Sequence, residues 1–171
     1  ARRTYNTTIT IEYQIQVTNE GDVPGYVNEI IDYMPSDLEF NSEINKSWYQ
    51  GTDGYLHTTQ LSDQIINPGE TKQVDLVLVK NITPNNLGTI INVAEIGRDN
   101  NNLSIQDKDS TAGNRVNGED DISTAEIIVS IRTGTVVMYV GLVFTIFIII
   151  ITGIYFINKK VLVKEDDDFI L

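Results

Sequence analysis

The sequence predicts an all-β domain, an antiparallel sandwich, followed by a single C-terminal transmembrane helix. Three observations predict it. Over the first hundred residues, apolar and polar side chains alternate with period two, in short runs broken by Asn, Asp, Gly and Pro. No amphipathic helical pattern stands out before the apolar run. Val136 to Ile157 is then a stretch of 22 residues without a charge.

The strands follow in order. "TITIEYQIQVT" places Ile9, Ile11, Tyr13, Ile15 and Val17 on one face and Thr10, Glu12, Gln14 and Gln16 on the other. "NEGDVPG" is a turn. "YVNEIIDYM" is a second strand, closed by Pro35, which has no N–H for a ladder. "LEF" is a short third strand. "SWYQGTDGYLHT" reads as a hairpin around Asp53-Gly54, with Trp48 in the core. After the turn "INPGET", "KQVDLVLVK" turns Val74, Leu76 and Leu78 inward, and "GTIINVAEI" follows. About seven short strands argue for a sandwich. Residues 97–124 are rich in Asn, Asp, Ser and Gly, and read either as a flexible linker or as a long acidic loop within the domain. "TAEIIVSI" after them is strand-like, with Ile127, Val129 and Ile131 inward.

The domain therefore runs over residues 1–132, with 97–124 as acidic loop or linker. A transmembrane helix covers 133–158 and a short tail 159–171. The span is bounded by Val136 and Ile157. As a helix it measures roughly 33 Å, matching a hydrocarbon core of about 30 Å. Fifteen of its 22 residues are Val, Leu, Ile or Phe, so no face of such a helix suits water. Lys159, Lys160 and Lys164 follow it, against Arg132 alone before it. That bias places the N-terminus outside and the C-terminus in the cytoplasm, in a single-pass cell-membrane protein whose first partner is lipid. The chain begins "ARRTYNTT", without Met or signal peptide, and is read as the C-terminal piece of something longer.

Composition narrows the function. The formal net charge is -12, which excludes nucleic acid as a partner. There are no cysteines, hence neither disulfides nor thiol chemistry. His57 is the only histidine and reads as a surface residue in a hairpin. No catalytic triad order, phosphate-cradling loop or metal-binding His pair is present, so the chain reads as non-enzymatic, with no resident cofactor. Calcium is the one candidate ion. Asp107, Asp109, Glu119, Asp120 and Asp121 supply hard oxygen ligands, although no EF-hand spacing is met. Thr133-Gly134 lies where a sortase would cut, but the Leu-Pro that such a signal needs before it is absent.

Four motifs in order carry a resemblance: Thr18 to Gly21 after a Tyr-containing strand, Asp32 to Pro35, Pro68 to Thr71, and Asn92 to Ala94. The chain resembles the conserved-repeat surface domains of Firmicutes, the domain of unknown function numbered eleven and related isopeptide-forming fimbrial domains. The resemblance implies an immunoglobulin-like sandwich serving as a Gram-positive stalk or adhesive repeat module. It also implies a candidate Lys–Asn isopeptide bond. Asn92 matches the Asn position, and Asp32 or Glu95 the promoting acid. The first strand lacks the expected lysine, so the candidates are Lys72 and Lys80, the nearest on strands, or a lysine upstream of Ala1. The expected function is a membrane-anchored surface module that self-associates or binds a host or cell-wall ligand. The alternative is a ligand-sensing or partner-binding ectodomain of a membrane complex.

Overall fold

The computed structural model describes residues 7–105 and 110–130, and every structural statement below concerns these. They form eight strands in two antiparallel sheets: β1 (Thr7–Thr18), β2 (Tyr26–Asp32), β3 (Glu39–Phe40), β4 (Trp48–Gln50), β5 (Leu56–Thr58), β6 (Thr71–Ile82), β7 (Gly88–Asn100) and β8 (Ile122–Val129). One sheet has the order β1-β6-β3, the other β4-β5-β2-β7-β8. The all-β sandwich expected from the alternation is present. The expected membrane helix, its bounds Val136 and Ile157, and Lys159 and Lys160 lie outside the described residues.

β1 and β6 share the longest ladder, unbroken from Thr7↔Ile82 to Thr18↔Thr71. Its inner face is the apolar set of the sequence pattern. Ile11, Tyr13, Val17, Val74, Leu76 and Leu78 are buried, while Thr10, Glu12, Gln14 and Gln16 are exposed. From the other sheet Ile30, Trp48, Leu56 and Ile90 close the core. Leu56, Leu76 and Leu78 are fully buried, each contributing about 2 kcal/mol of transfer free energy.

The outer edge of β6 is finished by side chains rather than by a full strand. β3 pairs only with Leu78 and Val79. Beyond it, the Asn45 amide donates to Val77 O and its Oδ1 accepts from Val77 N, at 2.8 and 2.7 Å. The Trp48 indole donates to Asp75 O at 2.9 Å. Asn45 belongs to an Asn-Lys-Ser sequon, and its buried amide is taken up by the sheet.

The segment 97–124 is neither a linker nor a single loop. β7 runs on through Asn100, because Tyr26 and Val27 at the start of β2 pair with Asn100 and Asp99. At its other end the segment enters β8, which pairs with β7 from Ile122↔Glu95 to Val129↔Gly88. Of the expected inward set in β8, Ile127 is half-buried and Val129 buried, Ile122 is half-buried as well, and Ile131 lies outside the described residues.

Candidate functional site

Period two in β6 does not stop at Leu78. It carries Lys80 to the same inner face, where Lys80 is 0% exposed. A lysine so placed needs an anion, since an unpaired buried ammonium is costly. Asp37, in the connection from β2 to β3, supplies the carboxylate that binds Lys80 Nζ. Lys72, by contrast, lies near the surface, paired with Glu70 at 2.6 Å.

From the five-stranded sheet, Asp32 ends β2 and Asn92 lies on β7. Asp32 pairs with Ala94, two residues from Asn92, so both side chains share the inner face. The Asn92 amide donates to Asp32 Oδ2. Asp32 is 0% and Asn92 3% exposed. Burial pushes the Asp32 carboxyl up to about 7, against the lowering effect of the Asn92 hydrogen bond. Tyr13 of β1 belongs to the same interior. Its hydroxyl is pushed up to about 12 by burial, then by the charges of Asp32 and Asp37. The Tyr13 hydroxyl, Asp32 Oδ1 and Asn92 Oδ1 are buried without a hydrogen-bond partner. The structure thus brings Asp32 to Asn92, and holds the Lys80 ammonium on Asp37.

Glu95 is three residues beyond Asn92, which places it on the other face of β7. There it is 2% exposed, covered by the loop that precedes β8. Glu95 accepts from the Tyr33 hydroxyl and, at 2.8 Å, from Arg115 N. Arg115 adopts a left-handed backbone (φ 57). Its guanidinium lies 4.3 Å from the Tyr33 ring centroid and donates to the Tyr55 hydroxyl at 3.1 Å. Gly113 makes the close approach, since a Cβ there would sit 2.9 Å from Gly97 O. Of the two sequence candidates for an acid beside Asn92, Asp32 occupies that position and Glu95 pins a loop.

The acidic residues considered for calcium do not converge among the described residues. Asp107 and Asp109 lie outside them, and Asp120 is exposed. Glu119 accepts from Thr111 N and the Asn114 amide. Both Asp121 carboxylate oxygens are buried without a partner, and burial, then the Glu95 and Glu119 charges, push that carboxyl up to about 6. No three His, Cys, Asp or Glu side chains among the described residues could hold a metal ion.

His57 is not a surface residue. It is 8% exposed, with Nδ1 3.2 Å from Glu29 and Nε2 3.1 Å from Asp53, and it stacks on Tyr49. Gly51 makes room, because a Cβ there would lie 2.7 Å from His57 Nε2. The signal was the hairpin itself, since its paired strands bring His57 beside Tyr49 and Ile31.

A crevice of about 450 Å³ opens between the two sheets. Glu12 to Gln16 of β1 form one wall and Ser123, Thr124, Ala125 and Ile127 of β8 the other. Asn92 and Ala94 of β7 also line it. Compared with known proteins, the chain matches no family model, no curated sequence and no solved structure.

Proposed function

We propose that the chain is a membrane-anchored bacterial cell-surface module, structural or adhesive and non-enzymatic. The observation that carries the reading is the charge-free run Val136–Ile157, which begins seven residues after β8 ends and is followed by Lys159-Lys160. A β-sandwich joined to such a span stays tethered to the cell surface. Its acidic surface, on a chain of net charge -12, is hydrated and resists nonspecific sticking.

The strand order supports the immunoglobulin-like assignment. In spatial order β1-β6 corresponds to strands B-E and β2-β7-β8 to C-F-G, with β5 and β4 added at the C edge; β3 lies beside β6 where D would, but precedes β4 and β5 in the chain. Strand A, which flanks B in that fold, has no counterpart among the described residues. The interior pairing of Asp32 with Asn92, with Lys80 on the facing sheet, supports kinship with sandwiches that cross-link their own core.

Fractionation of cells making the full chain tests the anchor. The protein is expected to stay with membranes through alkaline wash. External protease should remove the sandwich and spare an epitope placed after Lys160. A wall-linked form lacking the apolar run would overturn the reading. Intact mass tests the cross-link. A loss of one ammonia that disappears in Lys80→Met assigns an amide between Lys80 and Asn92, and an unchanged mass assigns a non-covalent interior.

A further inference from the structure

Sheet edges are templates for further strands unless something blunts them. Here β3 has two residues and β4 three, too short to template much. The open side of β6 is sealed by Asn45 and Trp48. β1 is different. It runs twelve residues without Pro, Gly, Lys or a register shift, and carries one charge, Glu12.

The direction of its free backbone groups follows from the ladder. Asp75 and Val77 of β6 turn their backbone groups toward Trp48 and Asn45, away from β1. In an antiparallel pair the hydrogen-bonded rungs alternate, so Leu76 and Leu78 bond to Tyr13 and Ile11. Glu12, Gln14 and Gln16 therefore point their N–H and C=O groups outward. Three of the residues walling the crevice are these same residues, and across it stands β8, the other long edge. Two long edges thus face one slot, with Tyr13 and Asn92 along it. Each of those two holds a buried polar atom without a partner, the Tyr13 hydroxyl and Asn92 Oδ1.

We propose that this crevice is a strand-addition site for an extended basic segment of a partner polypeptide. The segment pairs its main chain with Glu12, Gln14 and Gln16 of β1. Small and apolar side chains meet Ala125 and Ile127, and one Lys or Arg side chain reaches the Asn92 and Tyr13 oxygens. Charge selects the partner. The one charged residue lining the crevice is Glu12, and the chain carries -12, so a second copy is repelled and a basic strand attracted. The inference goes beyond the anchoring reading and does not depend on it.

The full chain in detergent is titrated with a synthetic seven-residue peptide alternating Val and Thr about a central Lys. Two controls replace that Lys by Glu or interrupt the peptide with Pro. The Lys peptide is expected to bind about tenfold tighter than the Glu peptide, with no binding by the Pro form. It should slow amide exchange at Glu12, Gln14 and Gln16. Ser123→Trp, at an exposed position of β8, should fill the slot and abolish binding, and Glu12→Lys should favour the Glu peptide. No binding by any peptide, unchanged exchange on β1, or full binding by Ser123→Trp overturns the proposal. Dimerisation without peptide, lost in Ser123→Trp, also overturns it and assigns the slot to a second copy. Fractionation, a separate measurement, decides the anchoring reading.

Discussion

Asp32 and Asn92 meet inside the sandwich, the amide of one on the carboxyl of the other, with Asp32 fully buried. The consequence is a proton. Burial raises the Asp32 carboxyl from 3.8 to about 7. Folding therefore takes up a proton between about pH 4 and pH 7, and stability falls as pH rises through that window. The full linkage is on the order of 4 kcal/mol. Asp121, raised to about 6, acts in the same direction over a narrower window. Glu70 acts the other way. Hydrogen bonds from Asn67 and Lys72 lower it to about 2, so its contribution is lost only below the usual carboxylate range. Melting followed by the fluorescence of Trp48, the single Trp, should give a higher midpoint at pH 5 than at pH 7.5. Asp32→Asn should flatten that difference. A profile that rises from pH 5 to 7.5 would contradict the assignment.

The Lys80–Asp37 pair predicts asymmetric mutants. Lys80 is fully buried, whereas the Asp37 side chain is 44% exposed. Asp37→Asn strands an ammonium in the core and should cost roughly 3 kcal/mol. Lys80→Met removes the charge and keeps the length, so it should be neutral or stabilising. The double variant should regain most of the loss. Chemical denaturation of the four proteins checks this, and additive losses would show that the two residues do not depend on each other.

Much of this interior was written in the sequence, and its misses have physical causes. β1 was legible because one face is buried and the other wet, which makes alternation compulsory. Lys80 continues the step Val74, Leu76, Leu78, so the period points it inward, but its charge left it out of the expected inward set. Asp37 could not be found, because it lies in a turn after Pro35 where no period applies. The far end of β7 was hidden by composition. Arg98, Asp99 and Asn100 have poor strand propensity, and they join the sheet because Tyr26, Val27 and Glu29 pair with them. Arg115 was invisible for a similar reason, since its position rests on Glu95, Tyr33 and Tyr55 rather than on local pattern.

Arg115 and Glu95 predict how firmly the loop before β8 is held. Arg115→Ala removes the stacking over Tyr33 and the bond to Tyr55, but keeps the N–H that Glu95 accepts. The expected loss is about 1 kcal/mol. Glu95→Ala leaves the Tyr33 hydroxyl and Arg115 N without their acceptor, and should cost about 3 kcal/mol. Amide exchange at Arg115 distinguishes the two, fast in Glu95→Ala and slow in Arg115→Ala. Equal exchange rates would mean that the Glu95 carboxylate does not hold the loop.

Asn45 makes the sharpest structural prediction, because one amide takes the place of a strand. It binds both backbone groups of Val77 and also donates to Asn41 O. Asn45→Ala removes all three bonds and leaves the half-buried N–H and C=O of Val77 without these partners. Each such group costs about 1–3 kcal/mol, so a loss of about 3 kcal/mol is expected. Asn45→Asp tests the geometry separately. Its Oδ1 still accepts from Val77 N, but a carboxylate cannot donate to Val77 O and opposes it with charge. That variant should therefore regain stability as acid protonates the new side chain, while Asn45→Ala should show no such recovery relative to the parent chain. If both variants track the parent at every pH, the amide of Asn45 is not what seals the outer edge of β6.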